Sequence, residues 1–198
     1  MKKIWFILIP VALIVFLLSR TGGTDEEYIA EINQYWEDRH DFFRTSEVSP
    51  FVQKGEEYQE VDYFDPNPDF KVNGKLNRLS KRETLTLENS DGTTTTYLKF
   101  ATIDFRIKGE TCTLLILKAL GFGNQYLLAF SDATSGGTTY GGGRYLDVGI
   151  GKSDQVTLDF NKAYNPYCAY FDDFACPFPP RENLLEVAIE AGEKNYSH

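Results

Sequence analysis

The sequence is short of the side chains on which metal and redox chemistry usually rests. It holds one Met, two His and three Cys in 198 residues. His40 and His198 are far apart, and no two cysteines show the C-x-x-C spacing of a zinc site, so no metal site is expected. The dinucleotide fingerprint G-x-G-x-x-G is missing too. Gly151-Lys152-Ser153 imitates the end of a phosphate loop, but Leu146 stands where the first glycine belongs and a strand pattern follows instead of a helix. The sequence therefore points to no cofactor. Positive charge is scarce as well. Lys and Arg total 20 against 29 Asp and Glu, and Lys2, Lys3 and Arg20 flank an apolar N-terminus, so residues 21–198 carry −12. A surface that acidic repels polyphosphate, which excludes a nucleic-acid partner.

What is present in quantity is aromatic. Fifteen Phe and twelve Tyr, with 42% hydrophobic residues overall, exclude a disordered chain. The length suits one compact domain.

One long hydrophobic run exists. Lys2-Lys3 precedes Ile4–Leu18, fifteen uncharged residues that would make roughly 22 Å of helix. That length lies between a signal-peptide core and a membrane span. No cysteine follows it, so a lipoprotein signal is not expected, and the small-residue cleavage pattern at Thr21-x-Gly23 is poor. An uncleaved membrane anchor is the leading expectation, a cleaved signal the second, and a buried core helix the third. Both of the first two place the rest of the chain outside the cytoplasm, with the lysines inside. Residues 1–23 are read as anchor or signal segment and linker, and residues 24–198 as a single β-rich domain.

Thr24 and Glu27 have capping-box spacing, and Ile29, Ile32, Trp36 and Phe43 recur at helical intervals, which predicts an amphipathic helix over about 25–44. From Tyr63 onward the pattern turns to short β runs: 70–79, 83–88, 93–107 with one bend, 111–119, 125–131, 144–148 and 155–160. Ser90-Asp91-Gly92 is the clearest hairpin signal. The segment 114–119, almost wholly apolar, reads as a central strand. Residues 184–192 fit a helix or a strand. With no helix between strands, the expected fold is mainly β, an antiparallel barrel or sandwich with an N-terminal amphipathic helix, preceded by the single hydrophobic membrane segment.

Two stretches are unusual. Residues 132–147 (DATSGGTTYGGGRYLD) hold five glycines and could form a nest of backbone N–H groups for an anion, with Arg144 adding a planar fork. The alternative is a wound interstrand loop in which Arg144 pairs with Asp132 or Asp147. In the second stretch, Cys168 and Cys176 lie eight apart in a loop rich in Pro and aromatics, which suggests a disulfide in an exported domain, with Cys112 a buried free thiol. A catalytic cysteine would need His40 as partner, and a glycosidase-type pair would need Asp147 beside Glu182. The sequence shows neither.

The runs FSDATSGGTTYGGGRYLDV and LDFNKAYNPYCAYFDDFACPFPPRENLLEVAIEAGEK closely resemble the bacterial family catalogued as domain of unknown function 1684. The Trp36–Phe43 helix, Ser49-Pro50-Phe51 and Tyr63-Phe64 leading to Phe70 resemble it as well, so the likeness spans about Tyr28 to Lys194. Relatives often have Pro where this chain has Glu186, which implies a strand over Val187–Ala191. The resemblance implies domain extent and no reaction. Its motif matches mark Asp132, Thr134, Gly136, Thr139, Tyr140, Arg144, Tyr145, Asp147, Asn161, Tyr164, Asn165, Cys168, Cys176, Glu182 and Asn183 as candidates.

Two functions fit these features. The first is a membrane-tethered binding or structural module, with Asp132, Thr134, Thr139, Tyr140, Arg144, Asp147, Asn165, Glu182 and Asn183 around a small anionic or polar ligand. The second is an exported hydrolase-like enzyme using Arg144 and Tyr140 near a carboxylate. Either way, Arg144 is expected near Asn165 or Glu182, with the two long loops sharing one polar surface.

Overall fold

The computed structural model describes residues 24–121 and 125–196. The hydrophobic N-terminal run lies outside them, and among the described residues no helix is long and apolar enough to cross a membrane. The first element is helix α1 (Asp25–Thr45). Thr24 accepts from the Glu27 amide while Glu27 accepts from the Thr24 amide, so two of the otherwise unpaired N-terminal donors are satisfied. Its buried side chains are Ile32, Trp36, His40 and Phe43; of the stripe read from the sequence only Ile29 is half-buried, and one histidine is added. A short second helix, α2 (Pro50–Lys54), follows.

Among the described residues the β region has eight strands: β1 (Lys71–Arg78), β2 (Thr84–Glu88), β3 (Thr94–Ile107), β4 (Glu110–Ala119), β5 (Tyr126–Leu127), β6 (Ala129–Phe130), β7 (Arg144–Tyr145) and β8 (Gln155–Asp159). Six form one antiparallel sheet in the order β5-β4-β3-β1-β8, with β2 paired to the start of β3, and β6 with β7 forms a separate ribbon. The order does not close on itself, so the fold is an open sheet and not a closed barrel. The bend expected within 93–107 is the register shift between Lys99 and Ala101, which lets β3 pair with both β2 and β1 along its length.

β4 shows how strand period becomes layering. Leu114 and Ile116 point into the main core with Leu76, Ile103, Phe130, Leu158 and Phe160, whereas Leu115 and Leu117 join Leu87 on the other face. Burial on both faces requires the near-continuous apolar run seen in the sequence. β5 pairs with β4 only at Leu117 and Lys118, so the Leu115 backbone lacks a strand neighbour there. The Asn183 side chain takes that place: its Oδ1 accepts from Leu115 N at 2.6 Å, and its Nδ2 donates to Leu115 O at 2.9 Å and Ala129 O at 2.7 Å. A side-chain amide thus finishes a sheet edge. Asn183 is a structural residue, not a ligand-facing one.

α1 is fastened to the end of this sheet through Asn161. The Trp36 indole donates to Asn161 O at 3.0 Å, and Asn161 Nδ2 donates to the Tyr28 hydroxyl, which itself donates to Asp159 at 2.7 Å. Beyond α1, Phe43, Phe51, Tyr58 and Tyr170 make a second, wholly aromatic core.

Residues 184–192 form neither the helix nor the strand expected of them. After one parallel bridge from Ser131 to Leu184 the segment is irregular. The physical reason is that its carbonyls are claimed by a side chain, because Arg144 donates to Ile189 O and Ala191 O. Gly192 ends the segment at φ 76°, where a Cβ would come 2.5 Å from Ala163 O.

Candidate functional site

The glycine-rich loop carries its own anion. Asp132 Oδ1 accepts from Thr134 N at 2.8 Å, Thr134 Oγ1 at 2.6 Å and Ile189 N at 3.2 Å, and Asp132 Oδ2 accepts from Arg144 Nη2 at 2.9 Å. Thr134 and Thr139 join their hydroxyls at 2.8 Å. Several other loop amides are satisfied within the loop, with Gly136 donating to Thr139 O, Gly137 and Thr139 to Thr134 O, and Gly143 to Tyr140 O. Gly143 adopts φ 85° against Phe130 O and Pro179, an approach no side chain could make. Of the two partners weighed for Arg144, Asp132 is the one it takes.

Arg144 has no exposed surface. Its Nη1 donates to Ala191 O and, at 3.3 Å, to Glu193 O, its Nη2 adds Ile189 O at 2.8 Å, and the guanidinium lies 5.3 Å from the centre of the Phe130 ring. A group enclosed this way cannot meet substrate, so Arg144 is withdrawn from the anion nest and from the hydrolase site that paired it with Tyr140.

Arg144 and Asn165 do meet, through Glu193. Glu193 is fully buried; its backbone carbonyl receives Arg144, while its carboxylate receives the Asn165 amide at 2.6 Å, the Tyr170 hydroxyl at 2.9 Å and Arg39 Nε at 2.5 Å. The two long loops are therefore joined by an internal network rather than a polar surface. Glu182 stands outside this network and pairs with Lys99 at 2.9 Å, and Asp147 bonds the Tyr164 hydroxyl at 3.0 Å, so no carboxylate pair of the glycosidase kind forms between them. His40 bonds the Tyr58 hydroxyl at 2.9 Å and is no partner for a cysteine. Among the described residues no cluster of His, Cys, Asp and Glu could hold a metal.

The expected disulfide is not formed. Cys168 and Cys176 are free, buried thiols beside one another, with the Cys168 amide donating to Cys176 Sγ at 3.2 Å. The Tyr140 hydroxyl reaches Cys168 Sγ at 3.7 Å. Hydrogen bonding, first from Cys176 and then from Ser90 and Tyr140, outweighs burial and holds the Cys168 thiol at about 6, while the Cys176 thiol is pushed up by the same contact. Cys112 is a third buried free thiol, raised by burial.

A cleft of about 530 Å³ opens where α1, the end of β7 and the segment 164–177 meet. Its walls are the rings of Phe42, Tyr145, Tyr164, Tyr167 and Phe174, with Arg39, Asp147, Asn165 and Cys176 among them. Tyr145 and Tyr164 meet edge to face at 6.1 Å, as do Tyr167 and Phe174 at 5.3 Å. Arg39 lies 4.6 Å from the centre of the Tyr164 ring, and Glu193 keeps it charged against the opposing effect of burial. Arg39 Nη2 and Asn165 Oδ1, one donor and one acceptor on this wall, have no hydrogen-bond partner. Asp147 stands exposed at the mouth.

Tyr145, Asp147, Tyr164 and Asn165 were flagged by the sequence. Phe42, Arg39 and Glu193 were not. A signal for Arg39 existed: it lies three residues after Trp36 and four before Phe43, so it is a charge on the apolar stripe of α1. Glu193 follows a turn and has no such signature.

An open antiparallel sheet, one amphipathic helix docked on its end and an aromatic side cleft define the class. Within it, the chain belongs to the family described as Protein of unknown function (DUF1684), which matches residues 56–194. It is also similar to an uncharacterised protein of Haloarcula marismortui known from a solution NMR structure. The identity is 36% over 85% of this chain and 95% of that one, with a TM-score of 0.61. No curated protein matches. The cleft walls supplied by Tyr145 to Pro177 fall inside the family match, and those supplied by α1 precede it.

Proposed function

We propose that this domain binds a small polar molecule with a flat apolar or aromatic body in the cleft between α1, β7 and residues 164–177. The observation that carries the reading is the coincidence, in one concave site, of five aromatic side chains and two buried polar atoms without partners. Ligand sites are mostly apolar with a few placed polar groups, and buried polar atoms are otherwise satisfied. Arg39 is compensated by the buried Glu193, whereas the exposed Asp147 at the mouth accepts from the Tyr164 hydroxyl and, among the described residues, forms no ion pair within 4.0 Å. That balance favours hydroxyl- or amine-bearing ligands over strongly anionic ones.

The domain is placed outside the cytoplasm and tethered to the membrane by Lys2-Lys3 and the Ile4–Leu18 run. Fractionation with external protease tests the placement, and full-length protein in the cytosol would end it. A titration of the full chain with phenols, aromatic amines and aromatic carboxylates, followed by two-dimensional NMR, tests the cleft. Shifts at Tyr145, Tyr164 and Phe174 that vanish in Tyr164→Ala are expected, with amines ahead of carboxylates. Shifts confined to the glycine-rich loop would refute the cleft.

A further inference from the structure

Beside the cleft, and independent of whether it binds a ligand, lies a pair of groups that ligand binding does not use. Cys168 and Cys176 sit on the two arms of the 167–177 loop, each nearly covered, with 8% and 9% exposure, and Cys176 on the cleft wall. Two hydroxyls converge on them, and a backbone amide of the pair joins in. The Tyr140 hydroxyl reaches Cys168 Sγ, the Ser90 hydroxyl accepts from the Cys176 amide at 3.1 Å, and the Cys168 amide donates to Cys176 Sγ. A pair kept only for packing would need no such hydroxyls, since a free cysteine packs well as a small hydrophobe.

We propose that Cys168 and Cys176 form an oxidation site for small hydroperoxides, with Cys168 as the attacking thiolate and Cys176 as the resolving thiol. The Cys168 thiolate attacks the distal oxygen of the peroxide, the O–O bond breaks, and hydroxide or alkoxide leaves with the electron pair and takes up a proton. Cys168 is now a sulfenic acid. The Cys176 sulfur then attacks the Cys168 sulfur, the S–O bond breaks, and the hydroxyl leaves as water with the proton Cys176 gives up. Two thiols have lost two electrons, the peroxide has gained them, and a Cys168–Cys176 disulfide remains. Two features support this order. The hydrogen bonds around Cys168, first from Cys176 and then from Ser90 and Tyr140, hold its thiol below the ordinary range, while the same contact pushes Cys176 up. The slight exposure of both residues, 8% and 9%, suits a two-oxygen oxidant better than a bulky disulfide reagent.

The test uses the full chain, reduced and then exposed to hydrogen peroxide at neutral pH, with the thiols mapped by alkylation and mass spectrometry. The expected product joins Cys168 to Cys176 and leaves Cys112 alkylatable, with Cys168 reacting on the order of tenfold faster than Cys112. In Cys176→Ser a sulfenic acid trapped by dimedone should accumulate on Cys168, and in Cys168→Ser Cys176 should remain unlabelled over the same interval. A measurement on the unaltered chain guards against misfolded variants: the pH profile of Cys168 alkylation should have its midpoint below the ordinary thiol range and below that of Cys112. A midpoint in the ordinary thiol range, oxidation of Cys112 first, or Cys176 reacting at the unaltered rate in Cys168→Ser would each overturn the proposal. So would a Cys168–Cys176 bridge that thiol reductants cannot open in the folded protein, which would make the pair a structural staple.

Discussion

Two arginines divide this molecule into an inside and a site. Arg144 and Arg39 each pair with a fully buried carboxylate, Asp132 in one case and Glu193 in the other. Arg144 has every surface covered; its two Nη groups donate to Asp132 and to carbonyls of the 189–193 segment, which they hold in place of a neighbouring strand, and its Nε has no partner. Arg39 keeps 17% of its side chain exposed at the cleft wall and leaves Nη2 unpaired. The same ion-pair chemistry therefore serves fold in one region and access in the other. Each arginine keeps one nitrogen without a partner, so what separates them is access: Arg144 Nε is sealed inside the fold, whereas Arg39 Nη2 belongs to a side chain on the cleft wall, where an unfinished network can recruit.

The largest expected effect breaks the inside half. Arg144→Ala leaves Asp132 buried without its cation and strips two or more carbonyls of their donor, which should cost about 3–5 kcal/mol. For a domain of this size that is a fall in melting temperature of roughly 10 °C. Any ligand response that survives in the folded fraction should be unchanged. Loss of binding without loss of stability would return Arg144 to the site and erase the contrast.

Next comes Arg39→Gln. Glu193 keeps its bonds from Asn165 N, Tyr170 and Tyr63, so the loss should be nearer the 1.5–3 kcal/mol of one charged hydrogen bond. Binding at the cleft should fall together with stability, and that joint loss distinguishes Arg39 from Arg144. Thermal unfolding and ligand titration on the same sample check it.

Tyr164→Phe sharpens the comparison within the cleft. It removes only the hydroxyl donated to Asp147, leaving the ring under Arg39, so stability should change by about 1 kcal/mol or less. Amine-bearing ligands should bind no worse, because Asp147 gains a free lone pair. Weaker amine binding would show that the Tyr164 hydroxyl itself contacts the ligand.

How far this was legible in the sequence follows the same division. Period and punctuation carry α1, the Gly92 hairpin and the double burial of β4, because each is a local consequence of side-chain spacing. The 184–192 segment was not legible, since its shape is set by Arg144 some forty residues earlier. The open sheet was likewise hidden, because Asn183 completes the β4 edge from a distant loop. At the site, the family-like motifs marked Tyr145, Tyr164 and Asn165, yet they also marked Arg144 and Asp132, which look equally functional until their burial is known. Motif residues buried to hold a loop and motif residues exposed to meet a ligand have the same signature in one dimension.

The smallest effect concerns Glu182, the candidate that the fold leaves on the surface. Its carboxylate meets Lys99 at 2.9 Å with 46% of the side chain exposed, and the Lys99 hydrogen bond holds it below the usual carboxylate range. A folded value below the unfolded one means that the pair contributes stability above the ordinary carboxylate range and loses it as pH falls through the folded value. Exposure limits that contribution to about 0.2–1 kcal/mol. Glu182→Gln should therefore lower the melting temperature by no more than roughly 3 °C near neutral pH. In strong acid, below the lowered native value, where the native carboxylate is protonated too, the gap between variant and parent should narrow. Scanning calorimetry at the two pH values checks the sign, and the cleft titration should not register the change at all. If Glu182→Gln abolished ligand shifts at Tyr145 and Tyr164, the line between surface pair and site drawn from the two arginines would have to be moved to include the 181–183 turn.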